Sequence, residues 1–250
     1  MSRSTVGEEI FSPKGEKFTL NNKYRDIFLD LDGTVFDFPA SEHESFFNTF
    51  RENGIPVDEA VYGRYHTVNK EMWGMLERGE IELSALKTER FRCVMDEFSI
   101  CADPFAINKT YVKFLSESVV LYDGAEEFCR RLSIKYMICA VTNGLKDNQY
   151  RRLELSGLSP FIRNMITSEE AGAPKPETPI FEAAMKLCLN PDKRECVLIG
   201  DSFAADVRGA YAFGVDAVWY NPGKLPLPPG EKKPLLEAGS YNEILEFLNV

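Results

Sequence analysis

Short, nearly unbroken apolar runs recur along the chain, separated by longer stretches in which apolar residues return every three or four positions. Ile27-Phe28-Leu29, Met137-Ile138-Cys139-Ala140-Val141, Cys196-Val197-Leu198-Ile199 and Ala217-Val218-Trp219-Tyr220 have the length and continuity of buried strands. Asn164-Met165-Ile166-Thr167 is a shorter strand candidate. Between these runs, Ala125, Phe128, Cys129 and Leu132 fall on one helical face, and Phe181, Ala184, Met185 and Cys188 on another. Thr178-Pro179 starts the second of these, a capping residue followed by proline at the first helical position. Further helices run through Tyr150 to Leu155, carry Val207, Ala210 and Tyr211, and end the chain with Tyr241, Ile244, Leu245 and Leu248 on one face. Residues 222–234 are Pro-rich and read as a loop. Strands alternating with helices predict right-handed βαβ units. The fold class is therefore α/β, a Rossmann-like parallel sheet with helices on both faces.

From Ser41 to about Ser118 this alternation stops, and no buried strand is predicted. Pro39 marks the break, Ser41 and Glu44 have capping-box spacing, and Phe46, Phe47 and Phe50 form an apolar stripe. A second helical segment runs from about Val57 to Arg78 and stops at Gly79, and a third begins near Ser84. A fourth puts Ile107, Tyr111, Phe114 and Leu115 on one face. The predicted organisation is an N-terminal extension (1–22), an α/β core made of 23–38 and 119–250, and an inserted helical domain (39–118).

Composition narrows the partners more than the fold. With 250 residues, 44% hydrophobic and 27% charged, the chain is ordinary for a soluble protein. A net charge of −10 and a pI near 4.9 argue against a nucleic-acid polymer as partner, though a small anionic substrate needs only a local positive site. No stretch approaches the roughly 18 apolar residues of a membrane span, and residues 1–22 lack the apolar core of a signal peptide. A cytoplasmic protein without a membrane partner is expected. Six cysteines without a Cys-x-x-Cys pair read as free thiols in a reducing compartment.

The chemistry begins where the first run ends, at Asp30-Leu31-Asp32-Gly33-Thr34. Asp-Gly is a common turn signal, and a surface turn is one reading. The other starts from cost: two carboxylates at the end of a buried strand are expensive unless they hold a cation or share a proton. Asp30, Thr142, Lys175 and Asp201 all lie at, or just after, predicted strand ends, where parallel sheets bind ligands.

Taken in order, Asp30-Leu31-Asp32-Gly33-Thr34, Thr142-Asn143-Gly144, Lys175 in Ala-Pro-Lys-Pro, and Gly200-Asp201-Ser202 with Asp206 resemble the four motifs of the haloacid dehalogenase-like hydrolases. The resemblance implies that Asp30 is a nucleophile forming an aspartyl-phosphate. It implies Mg2+ as cofactor, held by the Asp30 carboxylate, the Asp32 backbone carbonyl and Asp201, with Asp206 supporting the metal's water shell or Lys175. Asp32 would be the general acid and base. Thr142 and Asn143 belong to the catalytic group, the Thr142 hydroxyl and nearby N–H groups holding phosphoryl oxygens. Lys175 would balance charge on Asp30 and the phosphoryl group. The resemblance further implies that an aspartate at position 32 points away from dehalogenation and toward phosphate chemistry, and the helical insertion is similar to the mobile cap of such enzymes.

A narrower resemblance lies in the insertion. Tyr65, Asn69, Trp73, Glu77-Arg78-Gly79-Glu80 and Arg90-Phe91, with Asp216-Ala217-Val218-Trp219-Tyr220-Asn221-Pro222 downstream, are similar to the bacterial 5′-nucleotidase branch that acts on pyrimidine nucleotides. The expected activity is a Mg2+-dependent phosphomonoesterase acting on a small phosphorylated substrate, a nucleoside 5′-monophosphate, as a monomer or homodimer. The alternatives are a sugar-phosphate phosphatase or phosphomutase, and a catalytically idle binding module. Asn69 and Trp73 are the candidate substrate-binding residues of the cap. Tyr65, Trp73, Phe36 and Phe46 could stack a base, but aromatic residues at helical spacing usually pack, and packing is the expectation. His43 and His66 read as exposed or structural.

Overall fold

The computed structural model describes residues 9–11, 17–19, 23–188 and 191–250. Of the expected N-terminal extension, β1 (Glu9–Phe11) and β2 (Lys17–Thr19) form an antiparallel pair, and its other residues lie outside those described.

The main sheet has six strands: β3 (Asp26–Leu29), β4 (Met137–Thr142), β5 (Asn164–Thr167), β6 (Cys196–Gly200), β7 (Asp216–Tyr220) and β8 (Leu236–Ala238). All pair in parallel, in the order β5-β4-β3-β6-β7-β8. Central β3 puts its last residue, Leu29, beside Ala140 of β4 and Ile199 of β6, so β4 and β6 run one or two residues past its end. Continuous apolar runs are required because both faces are covered. Phe28, Cys139, Leu198, Ala217 and Trp219 pack on one face against α8 (Thr178–Met185), the π-helical turn Phe203–Val207 and α9 (Arg208–Phe213). Their neighbours Ile27, Ile138 and Val197 are equally buried and point the other way. There α5 (Ala125–Lys135) packs against β4 and against α10 (Tyr241–Leu248).

The helical stretch contains α1 (Phe38–Glu52), α2 (Glu59–Glu77), α3 (Leu83–Glu97) and α4 (Pro104–Glu117). Its core is aromatic: Tyr65 is fully buried, 4.8 Å from the Phe46 ring and stacked on Phe91 at 4.9 Å. Tyr65 and Phe46 are thus packing residues.

Two compact units result, one comprising Met1–Val35, Leu121–Asn143 and Gly157–Val250, the other Phe36–Val120 and Gly144–Ser156. The second includes α6 (Lys146–Leu155), which the periodicity had assigned to the α/β core. Its buried face is mostly polar (Asn148, Gln149 and Arg152 with Leu153), so it bonds rather than merely packs. The Asn148 amide donates to the Val112 carbonyl of α4 at 3.3 Å, and the Arg152 guanidinium lies 4.4 Å above the Phe36 ring.

Local signals shifted some boundaries. α1 begins at Phe38, not after Ser41, because the Asp37 carboxylate accepts from Ala40 N at 3.1 Å and Pro39 occupies the first turn. Ser41 is buried inside the helix, and Glu44 accepts from Ser118 Oγ at 2.9 Å. α8 likewise starts one residue early, with Glu177 at the cap position and Thr178 already helical. β8 was not expected, being three residues long beside a Pro-rich loop. α7 (Ser168–Ala171) is a single turn closed by a Thr167–Glu170 capping box. No helix among the described residues is long and apolar enough to cross a membrane.

Candidate active site

Asp30 follows β3 directly, its N–H still in the sheet, donating to the Ile199 carbonyl at 2.9 Å. Both carboxylate oxygens are held. Lys175 Nζ donates to Oδ1 at 2.6 Å, and Thr34 Oγ1 donates to Oδ2 at 2.9 Å. The same ammonium donates to Asp206 Oδ1 at 2.7 Å, while Asp206 Oδ2 accepts from Ser202 N at 3.0 Å. Asp206 is buried, so it supports Lys175 and is not a solvated helix carboxylate. Asp201 completes the group, its Oδ1 lying 3.3 Å from Thr34 Oγ1 and its backbone carbonyl accepting from Trp219 Nε1 at 2.8 Å.

Two glycines make room for this crowding. Gly33 has φ +91°, and a Cβ there would lie 2.5 Å from Asp201 Oδ2. A Cβ on Gly200 would overlap the Asp206 side chain. The two motifs carry glycine because carboxylates fill the space a side chain would need.

Asn143 has a role that its place in the second motif did not specify. Its Oδ1 accepts from Lys175 N at 2.7 Å and its Nδ2 donates to Lys175 O at 3.0 Å, a two-point clamp on the lysine's backbone. Thr142, the last residue of β4, is buried beside Thr167 in register. Asp32 is half-buried just beyond Asp30, and its carboxylate is not part of the acidic cluster. Thr34 is the residue that sequence reasoning passed over: quoted within the first motif but given no task, it bridges two of the carboxylates.

Asp30, Asp201 and Asp206 offer oxygens all within 4.8 Å of one another, facing one ammonium. Burial governs the protonation of Asp30 and Asp201. Burial pushes the Asp30 carboxyl up to about 7, Lys175 pulling against it and Asp206 adding to it. Burial, then Asp30 and Asp206, push Asp201 up to about 8. For Lys175, burial opposes the charged form, but Asp206 and Asp30 outweigh it and hold the ammonium above its usual range. A buried, oxygen-only donor set with unbalanced negative charge fits a hard divalent cation.

Residues 24–214 match the haloacid dehalogenase-like hydrolase family. The chain belongs to it. Among haloacid dehalogenase-like relatives, the HAD-hydrolase YfnB of Bacillus subtilis is 31% identical over 91% of this chain and 97% of its own. The pyrimidine 5′-nucleotidase PynA of Streptococcus pneumoniae is 30% identical over 90% of this chain and 95% of its own. The pyrimidine 5′-nucleotidase YjjG of Escherichia coli is 26% identical over 89% and 96%. The magnesium-bound crystal structure of B. subtilis YfnB aligns with a TM-score of 0.83, at 30% identity, over 92% of this chain and all of that one. As a haloacid dehalogenase-like hydrolase, the chain is an enzyme.

The cap candidates separate. Asn69 is buried with both ends of its amide engaged: Nδ2 donates to Glu42 Oε1 at 2.6 Å, and Oδ1 accepts from Arg90 Nη1 at 3.0 Å. Its contacts give it a structural part. Trp73 is half-buried, and its enclosed indole N–H has no protein partner among the described residues. His43 and His66 both meet carboxylates, Glu59 at 3.1 Å and Glu42 at 2.5 Å.

Proposed function

We propose that this hydrolase is a Mg2+-dependent phosphomonoesterase acting through an aspartyl-phosphate, with pyrimidine nucleoside 5′-monophosphates as its substrate class. The observation that carries the chemistry is the Asp30 carboxylate, buried and fixed at both oxygens by Lys175 and Thr34 beside two further carboxylates. Immobilisation of this kind suits a nucleophile that must meet phosphorus in line.

In this reading Asp30 attacks phosphorus, and the bond from phosphorus to the ester oxygen breaks. Asp32, outside the acidic cluster, delivers the proton to the departing oxygen, which leaves as the nucleoside hydroxyl. Asp32 then takes a proton from the water that attacks the aspartyl-phosphate, and inorganic phosphate leaves with Asp30 restored. Lys175 offsets charge on Asp30 and the phosphoryl group throughout, held in place by Asn143 and Asp206. Thr142, at the end of β4, contributes its hydroxyl to the phosphoryl oxygens. Asp30, the Asp32 carbonyl and Asp201 would hold Mg2+, which when bound supplies the positive charge that lets two anions approach. Support for the substrate class comes from PynA and YjjG, both pyrimidine 5′-nucleotidases matched over nearly their whole length.

Phosphate release from pyrimidine and purine nucleoside monophosphates and from sugar phosphates, each with Mg2+ and with EDTA, tests both halves. Fastest release from the pyrimidine nucleotides, lost in EDTA, is expected. Release confined to sugar phosphates would overturn the substrate class, and an isomerised ester in place of free phosphate would overturn the phosphatase.

A further inference from the structure

Thr34 holds the proposed nucleophile, and something must hold Thr34. Its carbonyl accepts a hydrogen bond from the Tyr241 hydroxyl at 2.6 Å, across 207 positions of sequence. Tyr241 is the first residue of α10, whose start is capped by Ser240. Its ring lies nearly parallel to Phe128 at 4.4 Å (15°) and to Tyr220 at 5.0 Å (10°), so it cannot swing without breaking two stacks. The hydroxyl is therefore a fixed donor, and burial together with Tyr220 keeps it protonated well beyond the usual phenol range.

We infer that Tyr241 is a positioning residue for the hydrolytic reaction, pinning the Thr34 peptide so that the Thr34 hydroxyl holds Asp30 in its attacking orientation. This rests on the reading of Asp30 as the nucleophile. Lys175 fixes the other oxygen of Asp30, so the Thr34 hydroxyl decides whether the carboxylate can rotate about that ion pair. The Thr34 side chain shares its single hydrogen between Asp30 Oδ2 at 2.9 Å and Asp201 Oδ1 at 3.3 Å. A drift of the Thr34 backbone would shift that hydrogen toward Asp201 and release Asp30. Misplacement of a reacting group by about 1 Å costs on the order of a hundredfold in rate, so a partial loosening is expected to be readable.

The other reading is that Tyr241 only fastens α10 to the sheet. Tyr241→Phe keeps the ring stacks and removes the hydroxyl, and hydrolysis of p-nitrophenyl phosphate with saturating Mg2+ distinguishes the two. A positioning role predicts kcat about tenfold lower with KM within about twofold, because the interaction acts on orientation and not on substrate binding. It also predicts non-additivity: in a Thr34→Val background, Tyr241→Phe should lower kcat no further, since its route to Asp30 is already gone. A purely structural role predicts an unchanged kcat in Tyr241→Phe, or equal fractional losses in both backgrounds, and either would overturn the inference. The melting midpoint is the readout apart from activity: it should move by about the same amount with and without Thr34→Val, while the kcat effect should not. Absence of wild-type turnover would overturn the phosphatase reading and this inference with it. Wild-type turnover with an unaffected Tyr241→Phe would overturn this inference alone.

Discussion

Replacing Lys175 by Met tests the electrostatic balance of the site more directly than any other single change. The ammonium is almost completely buried and makes ion pairs of 2.6 Å to Asp30 and 2.7 Å to Asp206. Methionine fills a similar volume, so packing is nearly conserved and the charge is what is removed. Removing one partner of a buried ion pair costs about 3–5 kcal/mol, because the remaining charge stays desolvated. For a chain of this size about 2–4 °C of melting temperature accompanies each kcal/mol, so the midpoint at pH 8 in EDTA should fall by about 6–20 °C. The pH dependence carries the sign. Lys175 is held above its ordinary value, so its own protonation is complete throughout pH 5–8 and contributes no change there. Asp30 and Asp201, pushed up to about 7 and about 8, do take up protons within that window. As they become neutral, less is lost by lacking the ammonium, so the deficit should shrink from pH 8 to pH 5. Thermal unfolding followed by circular dichroism at both pH values measures this, with Lys186→Met, on the exposed surface, as the control. Turnover should fall about 10²–10³-fold. A deficit below about 1 kcal/mol, or one that is the same at pH 5 and pH 8, would refute the reasoning.

Asp30→Asn is nearly isosteric and leaves Lys175 paired with Asp206, so it is expected to abolish phosphate release while leaving the melting midpoint within a few degrees; wild-type-like release would exclude the covalent route. In metal-free wild-type protein, Asp30 and Asp201 bind protons more tightly folded than unfolded, where an aspartate titrates near 3.9. The folded state therefore holds more protons between about pH 4 and pH 8, and stability should fall as pH rises through that window. Saturating Mg2+ should flatten this slope, and identical slopes with and without Mg2+ would show that the carboxylates do not hold the ion. Trp73→Ala should raise KM for pyrimidine nucleotides several-fold more than for p-nitrophenyl phosphate, whereas equal effects would make Trp73 a packing residue.

The sheet and three of the motif positions were legible because they leave a local trace: an apolar run buried on both faces ends in a polar residue. Asp30, Thr142 and Asp201 could be placed at one edge from that pattern alone, whereas Lys175 lies in the loop after α7, eight positions past the end of β5. What the pattern could not show was which atoms meet. Lys175 reaches Asp30 across 145 positions and Tyr241 reaches Thr34 across 207, and contacts at such separations impose no periodicity on either segment. Asn143 was legible as a motif residue, but not as a clamp on the Lys175 backbone. The grouping of α6 with the helical unit left no trace in the sequence for a related reason. Helical periodicity reports an apolar stripe, and a helix that buries Asn148, Gln149 and Arg152 has little stripe to report.

Buried charge by itself marks neither a site nor a structural network, since both units contain it. In the helical unit Glu42 and Arg90 are buried, but Asn69 bridges them, Arg90 also donates to Asn108 at 2.9 Å, and its guanidinium lies 4.8 Å from the Tyr111 ring. One carboxylate answers one guanidinium through a neutral amide, with His66 and Tyr62 taking the remaining Glu42 oxygen. That set balances its charges within itself, with Arg90 Nε the guanidinium nitrogen left without a hydrogen-bond partner among the described residues. In the α/β unit three carboxylates face one ammonium, and burial, with the neighbouring carboxylates adding to it and Lys175 opposing it, raises Asp30 and Asp201 far above an ordinary aspartate. Folding alone gives no reason to gather that much like charge beneath a sheet edge, whereas a cation and a phosphate do. By the same measure Asn69, carried over from the cap motif as a substrate contact, sits within that charge-balanced network, bonded to both Glu42 and Arg90.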